Sequence, residues 1–553
     1  MTILTLAKAA SSAVGRWGRA SSAALPRPVA PVLIAAAWFT AVFAGILWVW
    51  GLNSRVLISP DEALNRFAAG VISKQGNAFL ALPFPDPEDL AHPRHWVSVG
   101  DHAIPSYAPV AIFFYGLLLR LRMLGLLLVP ALPASAAAAF ALGTAKLLPD
   151  DRNWLSVLAP ILGFPSLYWL MRPWMNLSAL LICVCWSFFF WATWRKSGKS
   201  RDLTIAIFGV GAAAAVRPDY AAYLLVVTLL FGVAASPTQW KRIVVLVFAA
   251  GASAVALNLF LNWLVTGHPT VAAYQIVAAR DEGTTGSGGP LGLLRQLLVP
   301  MGVPKPEMAL RFLRKYWVQM GPVAGLTLAQ LALVPVLLAR PRLVRVLYAL
   351  GLLVMLCFVL SHMDEGLNGA QERLSMVHHS MPRYWSPVYL LAALPPILFL
   401  GYCKRRDLFV GGAVLACVLA VANGWDLYRR EGSSLLMLND FAQRWAQLAP
   451  SLADKIPSDA IVYSGTYDKV LWPYWRLGTM AEPEVTARSM RRAIDANLRV
   501  FLVEPWFPRY KLSALNRALK DKLLTIVLID RRGIYRIARA RQSTPGQVRT
   551  DSP

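Results

Sequence analysis

VLIAAAWFTAVFAGILWVW, residues Val32 to Trp50, runs nineteen residues without a charge. As a helix it would extend roughly 28 Å, close to the roughly 30 Å apolar thickness of a bilayer. It ends in Trp48 and Trp50, as an interfacial aromatic belt would. A secretory signal has a shorter apolar core and a small-residue cleavage site. A basic, Ser- and Ala-rich leader with Arg16, Arg19 and Arg27 precedes this run. The stretch therefore reads as an uncleaved first span with the N-terminus in the cytoplasm.

Comparable runs recur from Val32 to about Ala422, after which they shorten and charge rises. The chain is 56% hydrophobic and 15% charged, where a soluble protein carries about a quarter charged residues. Its net charge of +25 does not mean nucleic acid, because many Lys and Arg sit in short clusters between apolar runs. The basic C-terminal part suits an anionic lipid surface. The cysteines, Cys183, Cys185, Cys357, Cys403 and Cys417, lie in or at the ends of apolar runs and give no disulfide framework or thiolate metal site.

Four basic clusters orient the chain: Arg195/Lys196/Lys199/Arg201, Lys241/Arg242, Arg340/Arg342/Arg345 and Lys404/Arg405/Arg406. The positive-inside rule puts all four in the cytoplasm with the N-terminus. Spans are then expected at Val32–Trp50 and Met123–Ala145, and at 154–170, 176–193, 203–216, 221–236, 243–264, 318–339, 346–361, 385–402 and 408–423. Ala108–Leu119 is too short to cross and reads as a half-helix or interfacial segment. The expected fold is an α-helical polytopic membrane protein of about 11 spans, with 12 or 13 as alternatives. The odd parity carries a small C-terminal α/β domain to the extracytoplasmic, periplasmic side of the plasma (inner) membrane.

The expected organisation is a cytoplasmic leader at 1–30 and a transmembrane domain at 31–423 with outer loops 51–107 and 265–317. An α/β domain at 424–540 and a disordered tail at 541–553 follow. AIVYS, VFLVE and LTIVLI read as strands, and RSMRRAIDANL and LSALNRALKDKL as helices.

All seven histidines fall on the outer side of this threading, which points to chemistry there. Asp61-Glu62 follows the first span. It reads either as a general base with its neighbour or as the first turn of a helix capped by Ser59 and opened by Pro60. Arg172-Pro173 and Arg217-Pro218-Asp219 interrupt apolar runs at the outer boundary. Each arginine offers a fork suited to phosphate. The alternatives are a snorkelling Arg172 and an Arg217 paired with Asp219. His378 and His379 with Arg383 and Tyr384 form another outer cluster, unless Tyr384 is aromatic belt. His92, His95, Asp101 and His102 lie close together in the first loop. They read as a sugar or phosphate pocket, as a solvated loop, or as a metal site lacking a second ligand pair.

In this order the residues resemble the glycosyltransferase-C superfamily of membrane enzymes. The resemblance rests on the acidic pair Asp61-Glu62, GDH…SYAPVAIFFYG from Gly100 to Gly116, GVGAAAAVRPDYAAYLL from Gly209 to Leu225, and RYWSPVYLLAALP from Arg383 to Pro395. An outer C-terminal domain completes it. The chain lacks the Trp-Trp-Asp-Tyr-Gly signature of oligosaccharide transfer to asparagine. The resemblance implies inverting transfer of a monosaccharide, hexosyl or pentosyl, from a polyprenyl-phosphate donor to a hydroxyl of an envelope glycan, lipid or protein. It implies Asp61 as base, Glu62 as its partner, and Arg217, Arg383 and Arg172 on the donor phosphate. Asp101, His102, Tyr107, His378, His379 and Tyr384 would line the substrate pocket. No cofactor is required and a divalent metal is optional. A flippase of polyprenyl-linked sugars and a non-catalytic scaffold are the competing classes.

Overall fold

The structure, a computed structural model, describes residues 29–51, 60–93, 95–107, 109–271, 307, 341–361, 385–429, 434–465, 467–471, 474–504, 509–530 and 533–539. The chain divides into two compact units. The first comprises 1–53, 108–270 and 279–440; the second comprises 54–107, 271–278 and 441–553.

The first unit is helical. Among the described residues, seven helices of the chain are long and apolar enough to cross a membrane. The helix Trp240–Thr266 shows why they need a lipid environment: it exposes Val245, Phe248, Val255 and Phe260. Water would not tolerate such a face, whereas lipid does. The helix Pro109–Arg120 has 12 residues, or roughly 18 Å, too short to cross. It folds back on the helix Met123–Leu147 through a tight turn at Leu121–Arg122. A Cβ at Gly125 would sit 1.7 Å from the Leu118 carbonyl oxygen, so only glycine permits this return. The helices Asn176–Ser197 and Ser200–Val216 also meet closely, because a Cβ at Gly209 would lie 2.3 Å from Ser187 Oγ. Small residues at such a contact let helix backbones approach.

Two of the eleven expected spans are not continuous helices. The stretch expected at 154–170 is a 3-10 turn, Asn153–Leu158, followed by helices Ala159–Leu162 and Phe164–Leu170. The stretch at 385–402 divides into Ser386–Ala392 and Leu394–Tyr402. Pro160 and Pro165 break the first, and Pro395 and Pro396 the second, because proline removes an N–H and crowds the preceding turn. Carbonyls at the proline breaks and helix ends are met by other side chains. Ile161 O, whose helical partner would be the missing N–H of Pro165, accepts from Asn423 Nδ2 at 2.8 Å. Ser386 O accepts from Ser166 Oγ at 2.5 Å, and Arg152 reaches Leu400 O, Gly401 O and Cys403 O. Irregular backbone at membrane depth survives only when buried and satisfied in this way. Asn423→Leu is therefore expected to destabilise the purified protein by about 0.5–2 kcal/mol, read as a lower unfolding midpoint in detergent. The expected span 318–339 lies outside the described residues, as do residues 1–28 of the leader and the last residues from 540.

The second unit is built on a mixed five-stranded sheet of β4 (Ile461–Tyr463), β5 (Arg476–Gly478), β6 (Val500–Val503), β7 (Leu524–Asp530) and β8 (Ile534–Arg539). Its order is β5-β4-β6-β8-β7, with β5, β4 and β6 parallel and β7 and β8 antiparallel. The apolar runs of β4 and β6 are covered on both faces, as expected of parallel strands. Ile461, Tyr463, Val500 and Leu502 face the helices Pro483–Asp495 and Arg509–Lys520, through Met490 and Leu519. Val462, Phe501 and Val503 face Leu452, Tyr467 and Trp475.

The described residues of the outer loop 51–107, from Pro60 onward, belong to the second unit. Phe84, Leu90 and Ala91 join the core beside Met490 and Leu519. Leu90 O accepts from Thr479 N at 2.8 Å, and the Glu88 carboxylate meets Arg492 at 3.0 Å and Arg488 at 3.5 Å. Before its C-terminal sheet, this unit also carries a small antiparallel sheet of β1 (Leu80–Ala81), β2 (Trp96–Val99) and β3 (His102–Pro105).

Candidate active site

The helix Pro60–Gln75 begins with Pro60 and carries Asp61 and Glu62 in its first turn. Proline suits this position because its ring fixes φ and it has no N–H to leave unsatisfied. The helix dipole favours negative charge there. Glu62 is 1% exposed, whereas the Asp61 side chain keeps 14% of its surface. The pair thus opens a helix, one of its two sequence readings.

The hairpin β2-β3 brings two further groups to Asp61. Its open end closes with Ser106 N donating to His95 O at 2.8 Å. His95 adopts φ 64°, a left-handed conformation costly for a residue with a Cβ. This bend stacks the His95 ring on Tyr107, with centroids 5.5 Å apart and planes at 24°. The Tyr107 hydroxyl donates to Asp61 Oδ1 at 2.5 Å, and His95 Nε2 lies 3.7 Å from the same oxygen. Trp96 packs on Phe67 of the Asp61 helix at 5.2 Å. A mostly buried carboxylate thus accepts from a phenol on one oxygen, with an imidazole beside it. That is equipment for taking a proton from a hydroxyl. The same unit holds a cavity of about 460 Å³ bordered by Phe67, Leu82, Pro93, Tyr474 and Arg476.

Asp101 and His102 pair with each other at 2.9 Å, at the turn end of the hairpin. The register Trp96↔Pro105 to Val99↔His102 sets them roughly 13–16 Å along the strand from His95. The expected pocket set of Asp101, His102 and Tyr107 is therefore divided, and Tyr107 alone reaches Asp61. From sequence His95 reads as part of a first-loop sugar or phosphate pocket, a solvated loop or a metal site, with no link to Asp61. Nothing in its local spacing pairs it with Asp61, 34 positions away.

No family model and no curated protein matches this chain. Among solved structures it is similar to ArnT from Cupriavidus metallidurans bound to undecaprenyl phosphate. The likeness covers 92% of this chain and 98% of that one, at 14% identity and a TM-score of 0.44. At those values it decides nothing about function.

The expected phosphate-binding arginines that are described belong to the first unit. Arg172 is 4% exposed, and its guanidinium lies 5.0 Å from the Trp169 ring centroid and 5.9 Å from that of Tyr168. Around it, Met171 O accepts from Trp50 Nε1 at 3.1 Å, and Pro173 O accepts from the Tyr115 hydroxyl. The site is a cation–π nest rather than a snorkelling side chain. Arg217 makes a bidentate pair with Asp219, Nε–Oδ1 3.0 Å and Nη2–Oδ2 2.6 Å, and lies over Tyr220. Pairing with Asp219, one of the two sequence alternatives, is the arrangement present. Arg217→Ala and Asp219→Ala should then be less than additive in detergent unfolding, by about 0.5–3 kcal/mol. Arg383, His378, His379 and Tyr384 lie outside the described residues.

Proposed function

We propose that this protein is a multi-pass membrane glycosyltransferase that moves one sugar from a polyprenyl-phosphate donor to an acceptor hydroxyl at the outer face. The observation that carries the reading is Asp61 in a helix first turn with the Tyr107 hydroxyl on its Oδ1. In the proposal the acceptor oxygen bonds to the anomeric carbon from the face opposite the phosphate. Its proton passes to Asp61, the anomeric C–O bond to phosphate breaks, and polyprenyl phosphate leaves with inversion. Glu62 and Tyr107 orient Asp61, and His95 borders the acceptor. Arg217, Arg383 and Arg172 are proposed to stabilise the leaving phosphate, with phosphate displacing the Asp219 carboxylate from Arg217. The cavity beside Phe67 is proposed for the acceptor, an envelope glycan, lipid or protein. The chemistry proposed needs no cofactor.

The test is purified protein given a radiolabelled polyprenyl-phosphate sugar and envelope from a deletion strain. Label entering the acceptor with stoichiometric release of polyprenyl phosphate supports transfer. Intact donor moved across a proteoliposome membrane would instead make it a flippase. Neither outcome would leave the scaffold reading. Mass spectrometry of the deletion strain's envelope identifies the sugar by the mass lost.

A further inference from the structure

Outside the Asp61 site, residues 86–98 gather a second group of ligand-type side chains. Asp86-Pro87-Glu88-Asp89 turns back on itself, with Asp89 N donating to Asp86 O at 3.2 Å. One donor atom each of Asp86, Asp89 and His92 lies within 4.8 Å of the other two. Asp86 is 6% and His92 2% exposed.

Two features of this cluster suit a bound cation. Asp86 Oδ2 accepts from Ala91 N at 2.6 Å and Ser98 Oγ at 3.3 Å. Its Oδ1 is buried and has no hydrogen-bond partner among the described residues. A buried carboxylate oxygen without a donor is costly unless a cation meets it. Secondly, both ring nitrogens of His92 face oxygens: Nδ1 lies 2.9 Å from Pro93 O and Nε2 2.8 Å from Asp89 Oδ1. A neutral imidazole has one N–H and can satisfy only one of them. An N–H on Nδ1 directed at Pro93 O leaves the Nε2 lone pair facing the carboxylates. That arrangement suits a metal-ligating histidine oriented by a backbone carbonyl.

We infer that Asp86, Asp89 and His92 bind a divalent cation of the zinc class, which fixes the turn 86–92 that packs on the C-terminal sheet. Two carboxylates and an imidazole favour zinc or manganese over calcium or magnesium, which take oxygen ligands. The role would be structural. Leu90 and Ala91 are already in the sheet core, and Ser98 N donates to Asp89 Oδ1 at 2.5 Å. The cation would tie together both ends of the segment whose tip is His95. The Asp61 chemistry does not enter this inference.

The experiment uses full-length protein in detergent, stripped with a chelator and titrated with zinc. Wild type should take up about one ion per chain at this site, and its unfolding midpoint should fall on chelation and recover with zinc. Asp86→Asn and His92→Gln should each weaken zinc binding by more than about 100-fold, since losing even a supporting partner costs roughly 10–100-fold. His92→Cys, which supplies a thiolate, should restore stoichiometric zinc. Zinc uptake unchanged in both Asp86→Asn and His92→Gln overturns the site. So does a wild-type midpoint indifferent to chelation and zinc, a result that needs no variant to fold.

Discussion

Asp61→Asn is expected to lower sugar transfer by about 10²–10⁴-fold, the range for losing a general base. The replacement is chosen from the geometry. Asparagine is isosteric, and its Oδ1 still accepts the Tyr107 hydroxyl, so the hairpin keeps its anchor on the helix. Only proton acceptance is removed. Expression and unfolding midpoint should therefore match wild type while single-turnover transfer collapses. Tyr107→Phe makes the complementary cut: the base stays and its orientation loosens, so a smaller loss is expected. A near-normal rate in Asp61→Asn would move the base elsewhere, with Glu62 the first candidate and the deeper burial of its side chain counting against it.

Single-cysteine labelling should give an all-or-none result. In a cysteine-free background, cysteines at Gln75 and Ser513, exposed positions of the second unit, should react with an impermeant maleimide in intact spheroplasts. A cysteine at the exposed Ser197 should react only after lysis. The basis is that four basic clusters cannot all face outward without violating the positive-inside rule. Parity depends on Pro109–Arg120 not crossing, which its 12 residues support. Ser98, attractive from sequence as an outer-loop reporter, is buried in β2 and would report packing rather than sidedness. The reverse labelling pattern would put Asp61 on the cytoplasmic side and remove the donor chemistry proposed for it.

Sequence alone determined the class of this protein. A bilayer imposes a local rule, about twenty apolar residues per crossing, so helices such as Asn176–Ser197 and Trp240–Thr266 can be read without knowing their neighbours. The first turn at Asp61-Glu62 was legible for the same reason, since Pro60 and two acids mark a helix start locally. The buried strands β4 and β6, and the edge strand β7, which leaves Val527, Leu528 and Ile529 exposed, were readable as apolar runs. The edge strand β5 and the alternating β8 were not, because each is defined by its partner rather than its own pattern.

Tertiary structure decided the rest. Prolines announce a break, but the tertiary structure decides that Asn423 meets the Ile161 carbonyl that Pro165 leaves without an N–H. The outer loop gave no sign that Phe84 and Leu90 would complete a core whose other half lies more than 370 residues later, at Ile461 and beyond. His95 reaches Asp61 only because a hairpin turns back and a left-handed backbone aims the ring. Such contacts depend on where distant segments meet in space. Hydrophobic periodicity records which face of an element is buried, but not what will bury it.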